Sequence, residues 1–211
     1  MFEGVAQVLV RPTSLFRTLQ EDDRLAAKAI WVAVIVSALA GVIGYFNAVP
    51  LAEAFAGTPL GGLSLVSAPL FAAVFTFLGW MVYGLIVRMT AGIESKPWAI
   101  VGYSMAPQIV LNTLLILIAA LFPVQLSAVA VDFSDPDTLQ QSTQALQREL
   151  QTSFFGRSSQ VLGYAATVWW LVLIFLGVRE ASTTAKAVSS ALIVGLLSLG
   201  FILVPFLLAP L

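Results

Sequence analysis

The sequence predicts an all-α polytopic membrane protein with five transmembrane helices, its N-terminus cytoplasmic and its C-terminus outside. Three observations predict it. Of 211 residues, 59% are hydrophobic and only 10% are charged, against about 25% charged in a soluble domain. Five apolar runs are long enough to cross about 30 Å of hydrocarbon at 1.5 Å per residue. Lysines and arginines, finally, are divided unevenly between the loops on the two sides.

Residues 1–28 precede the first run and form a cytoplasmic amphipathic segment. Phe2, Val5 and Leu9, then Leu15, Phe16 and Leu19, recur at helical spacing around Arg11-Pro12-Thr13-Ser14. Ser14 is expected to cap a second short helix that runs toward Asp22 and Asp23. Such a helix, flanked by arginines, either lies in the membrane interface or packs against the ends of the bundle.

Residues 29–211 form the membrane domain, with spans near Ile30–Phe46, Leu63–Val87, Trp98–Leu121, Val161–Val178 and Val188–Leu208. The first run is read as a retained span. Ala52-Glu53-Ala54 resembles a signal-peptide cleavage site, but residues 1–28 exceed an ordinary positively charged leader and Pro50 intervenes. Ser37 with Gly41, Ala40 with Gly44, and Ala187, Ala191 and Gly195 mark faces where backbones can approach closely. Trp31 and Trp98 fit interface anchors, and Trp80, Trp169 and Trp170 fit packing deeper in the bundle. Pro69 and Pro205 give two further spans a potential kink.

The extracytoplasmic loop 122–160 holds the one sizeable piece outside the membrane. Asp135-Pro136-Asp137 is a helix start, with a capping acid and Pro at the first helical position. Leu139, Thr143, Leu146 and Leu150 then form a stripe among glutamines, which predicts an amphipathic helix near 136–152 with Gly156 as a stop. Asp132, Asp135 and Asp137 lack the ligand spacing of a calcium loop.

Orientation follows from the basic residues. Arg11, Arg17, Arg24 and Lys28, Arg88 and Lys96, and Arg179 and Lys186 fall on one side, eight in all; Arg148 and Arg157 fall on the other. Eight against two places the N-terminus in the cytoplasm.

Composition also removes classes of function. Net charge of −1 excludes the basic face that nucleic acid requires. The chain has no cysteine and no histidine, so zinc sites of the usual type, bis-His haem and His-based triads are unavailable. No span core carries Asp, Glu, Lys or Arg. A charge at a span centre costs about 2.5–3.5 kcal/mol on insertion scales and persists where it works, so a proton-coupled pump or an intramembrane protease is disfavoured. The expectation is a non-enzymatic protein with no cofactor and no metal.

The third span holds what remains. Ser104, Gln108 and Asn112 lie at i, i+4 and i+8 on one helical face beside Pro107, which follows Tyr103 by one turn. A proline inside a span frees a carbonyl where lipid offers no donor, and Gln108 could serve the carbonyl of Tyr103. These residues either glue helices together or form a polar notch for a lipid headgroup or small solute.

Three local patterns converge on one family. Pro12 with Phe16 and Leu19, Gly102-Tyr103-Ser104-Met105-Ala106-Pro107, and Ser182-Thr183-Thr184-Ala185-Lys186-Ala187 resemble the Yip family of five-span proteins, named for interaction with Ypt/Rab GTPases. Eukaryotic members carry a long cytosolic N-terminal region with an Asp-Leu-Tyr-Gly-Pro element, and that element is not found here. The chain thus resembles the short prokaryotic branch, and Rab binding is not carried over. The resemblance implies a multi-pass protein of the cytoplasmic membrane that organises protein partners or lipids. Its candidate contact face comprises Pro12, Phe16, Arg17, Arg179 and Lys186, with the loop Gly92–Pro97. The expected partners are membrane lipids, a membrane or cytoplasmic protein, or further copies of the chain. The rival reading is a passive transporter or lipid scramblase that uses the third-span notch.

Overall fold

The computed structural model describes residues 2–55, 59–124 and 136–207. Among them the chain forms α1 (Phe2–Val10), α2 (Pro12–Glu21), α3 (Asp23–Ala54), α4 (Pro59–Ala91), α5 (Pro97–Ser104), α6 (Ala106–Leu121), α7 (Pro136–Thr152), α8 (Phe154–Ala181) and α9 (Thr184–Leu207), with a 3-10 turn at Ile93–Ser95. The protein is an all-α polytopic membrane protein. Four stretches, Asp23–Ala54, Gly61–Ala91, Ile93–Leu121 and Phe154–Ala181, are long and apolar enough to cross a bilayer, and Thr184–Gly200 is a shorter apolar helix.

The spans extend well past their apolar cores. The first run, expected over Ile30–Phe46, lies inside a helix of 32 residues that continues through Pro50. The expected stop at Gly156 is corrected. The α7 helix ends at Thr152, and Ser153 makes the corner: its hydroxyl donates to the Leu150 carbonyl at 2.6 Å and accepts the Gly156 N–H at 3.0 Å. Gly156 lies in the first turn of α8, where a Cβ would fall on the Leu150 carbonyl. The glycine lets two helices meet at a sharp bend rather than ending one. The loop expected to run to residue 160 therefore gives way to α8 at Phe154. Asp132, Asp135 and the end of the chain from Leu208 lie outside the described residues.

Ser14 is likewise corrected as a cap. The α2 helix starts at Pro12, whose missing N–H costs nothing in a first turn. Ser14 Oγ instead accepts Gln7 Nε2 at 3.3 Å. The effective cap is Asp22, whose Oδ1 accepts the N–H groups of Arg24 at 2.8 Å and Leu25 at 3.2 Å at the head of α3.

The chain divides into two compact units. The first comprises Met1–Ile35, Phe77–Pro107 and Thr167–Leu211. Val8, Leu15, Phe16, Leu19, Ile100 and Ile174 are fully buried in its core. Leu15, Phe16 and Leu19 of the predicted stripe are thus spent on the protein interior. A polar seam links α4 to α9 in antiparallel order: Thr90 Oγ1 shares a hydrogen bond with Ser190 Oγ, and Ser198 Oγ donates to the Tyr83 phenol at 3.2 Å. The Tyr83 ring stands edge-on to Trp170, 4.8 Å between centroids.

The second unit comprises Val36–Thr76 and Gln108–Ala166. Leu115, Ala119 and Phe155 form its core, with Ile43, Phe46 and Leu162 packed against them. Here α3 lies against α4 at the small-residue face read from the sequence. A Cβ on Gly44 would stand 2.9 Å from the Ala68 carbonyl, and one on Gly41 would stand 3.1 Å from that of Pro69. Gly62, by contrast, faces open space. Gly44→Ala is therefore expected to lower stability by about 1–3 kcal/mol through overpacking. Gly62→Ala should hold or raise it, because alanine favours helix. Thermal unfolding in detergent decides this, and equal midpoints for the two variants would contradict the close α3–α4 contact.

Candidate functional site

The Gly102-Tyr103 pair acquires a physical role in the first unit. A Cβ on Gly102 would stand 2.8 Å from the Ala29 carbonyl, so glycine lets the backbones of α5 and α3 touch. Tyr103, one residue on, is fully buried. Its phenol donates to the Leu25 carbonyl at 3.2 Å, and its ring closes against Gly4 of α1, where a Cβ would stand 2.8 Å away. One dipeptide on α5 thus seats both α3 and α1.

The rest of the predicted notch is rearranged. The third span is two helices rather than one kinked helix. The break falls at Met105 (φ −75°, ψ −7°), and Pro107 lies in the first turn of α6, where a proline removes no helical hydrogen bond. The Ser104 hydroxyl donates to the Ile100 carbonyl at 2.7 Å within its own helix, so its proton is engaged. Tyr103, Ser104 and Pro107 are buried and belong to the first unit; Gln108 and Asn112 are half-buried and belong to the second.

Beside this seat lies a clamp that the sequence reading did not identify. The turn after α4 passes through Gly92 (φ 94°) and Lys96 (φ 51°, ψ 56°), a left-handed conformation that costs a non-glycine residue about 1–2 kcal/mol. Lys96 has compensation. Its Nζ donates to the carbonyls of Leu19 at 2.9 Å and Gln20 at 3.0 Å, at the C-terminal end of α2, and pairs with Asp23 Oδ1 at 2.7 Å. An ammonium at a helix C-terminus satisfies open carbonyls and matches the helix dipole. Asp23 is 94% exposed, so the ion pair itself adds little; the carbonyl contacts hold α2 in place. Gln20 Nε2 reaches the Ser95 carbonyl at 3.5 Å beside them. The available signal was a lone lysine in a Gly-x-x-x-Lys-Pro turn, which suggests orientation more readily than capping.

The candidate contact face divides in the same way. Phe16 is fully buried, so it supports the face from beneath rather than meeting a partner. Pro12 is half-buried at the start of α2. Arg17 and Arg179 share one carboxylate: Glu180 Oε2 accepts Arg17 Nη2 and Oε1 accepts Arg179 Nη2, each at 3.3 Å. Lys186 is exposed in the first turn of α9, and its N–H donates to Thr183 Oγ1 at 3.4 Å. This cap gives the Ser-Thr-Thr-Ala-Lys pattern a structural reason.

With this geometry in view, comparison with known proteins identifies a family. The family model described as the Yip1 domain covers residues 6–208. No curated protein and no solved structure matches the chain.

Two variants test the seat and the clamp. Tyr103→Phe removes one buried hydrogen bond and should cost about 1 kcal/mol in thermal unfolding. Lys96→Gly relieves the left-handed strain but removes the ammonium, so it should raise amide hydrogen exchange across residues 2–21. Exchange at the level of the unaltered protein would show that Lys96 does not hold α2.

Proposed function

Because the chain belongs to the Yip1 family of membrane proteins, we propose that it is a non-enzymatic organiser of protein partners or lipids in the cytoplasmic membrane of a prokaryotic cell. In this reading the chain has five spans, the N-terminal helices face the cytoplasm, and that face is the contact surface. The reading rests above all on the clamp. Lys96 fixes α2, which carries Arg17 to the Glu180 carboxylate that Arg179 shares, and Lys186 is exposed at the start of α9. A face ordered before a partner arrives spares the conformational cost of ordering it on binding.

The side chains that spans need for proton-coupled or hydrolytic chemistry are not in the apolar cores, which supports a non-catalytic role. The rival reading, passive transport or lipid scrambling along the third span, draws on the helix break at Met105 and on half-buried Gln108 and Asn112. It is weakened by the Ser104 hydroxyl, which is spent on Ile100. Homo-oligomerisation through Gly41 and Gly44 is weakened too, since both already face α4 of the same chain.

Affinity capture from membranes in mild detergent should recover a stoichiometric partner, and Arg17→Glu with Lys186→Glu should release it. Recovery of the protein alone would sink the organiser reading. The transport reading predicts lipid or solute flux in vesicles reconstituted with the protein. Flux no greater than in protein-free vesicles would remove it.

A further inference from the structure

The second unit contains a cavity of about 420 Å³ that the face described above does not use. This volume falls within the range of about 300–1,000 Å³ typical of small-molecule sites. The cavity sits where α3 ends, α6 ends and α8 begins. Its walls include Phe46, Val49, Pro50, Ala120, Val124 and Phe155, with Tyr45 and Glu53 as the polar members.

Three properties of the lining restrict the occupant. Most of the wall is aliphatic or aromatic, which suits hydrocarbon. Among the described residues that line it, Glu53 is the one carboxylate and is exposed, and none is lysine or arginine. Pro50, inside α3, has no N–H to give to the carbonyl of Phe46 one turn earlier. Phe46 itself is a wall residue. An adjoining cavity of about 330 Å³ shares Pro123, Val124 and Phe155 and adds Glu149. Glu53 therefore favours a cation that can donate hydrogen bonds, and the walls favour a chain attached to it. The Tyr45 phenol can donate to a phosphate or ester oxygen.

We propose that this cavity binds an aminophospholipid, with the primary ammonium of phosphatidylethanolamine at Glu53 and its glycerol and upper acyl region against Phe46, Val49 and Phe155. The inference stands apart from the partner-binding face: it concerns other residues, in the second unit. Phosphatidylcholine has the same phosphate and chains but a quaternary head without N–H, so it separates headgroup recognition from general lipid adhesion.

The test is native mass spectrometry of the full-length protein released from mixed micelles that contain equal phosphatidylethanolamine and phosphatidylcholine. The unaltered protein should retain phosphatidylethanolamine over phosphatidylcholine by about three- to fivefold, the size of one partly exposed charged contact. Glu53→Gln keeps the side-chain shape and should bring that ratio to about one. Ala120→Phe fills the cavity and should lower retention of both lipids. Equal retention by the unaltered protein would overturn the proposal, because it indicates only annular lipid. So would a preference that survives Glu53→Gln, because it places the headgroup elsewhere.

Discussion

The approach of α5 to α3 at Gly102 is the constraint on which the first unit depends. Two helix backbones can touch only where no Cβ intervenes, and the Ala29 carbonyl occupies the space that a side chain at 102 would need. Once that contact is made, Tyr103 is driven inward. Its hydroxyl finds the Leu25 carbonyl and its ring finds Gly4. In lipid the gain from helix contact is mainly packing, since hydrocarbon tails are as apolar as the side chains. Close backbone approach is then a principal source of cohesion. The clamp at Lys96 acts on the same unit through charge and capping, by its contacts with the Leu19 and Gln20 carbonyls.

Much of this architecture was legible in the amino-acid order, for identifiable reasons. Four of the apolar runs marked helices long and apolar enough to cross a bilayer, because length and hydropathy are local properties. Pro136 and the leucines that follow marked α7, whose bounds match expectation, because an amphipathic helix advertises its period. Gly41 and Gly44 marked a tight face, and α4 fills it. What could not be read was whatever depends on a partner distant in the chain. Lys96 meets Leu19 across a separation of 77 residues, and a lone lysine gives no sign of that. Phe16 looked like a contact residue because its stripe has a helical period, but periodicity does not say whether protein or membrane covers the stripe.

Pro107 is the most instructive case. Proline within an apolar run can be read as a kink in one helix or as the start of the next, and both fit the same letters. The choice depends on the backbone at Met105, where α5 closes with its N–H shared between the carbonyls of Val101 and Gly102, each at 3.2 Å. The proline then serves as a starter for α6. The site reading of the Ser104, Gln108 and Asn112 stripe presupposed one unbroken helix, and the break alters that premise.

The seam between α4 and α9 bears on biogenesis. Thr90 meets Ser190 and Tyr83 meets Ser198, across separations of 100 and 115 residues. A ribosome delivers α4 long before α9, so the Tyr83 phenol lacks its Ser198 partner until the final segment is made, while the Thr90 hydroxyl can turn to the Ile86 carbonyl of its own helix at 3.0 Å. Folding of this unit is thus coupled to completion of translation. A chain that stalls before Ser190 lacks both hydroxyl contacts of the seam.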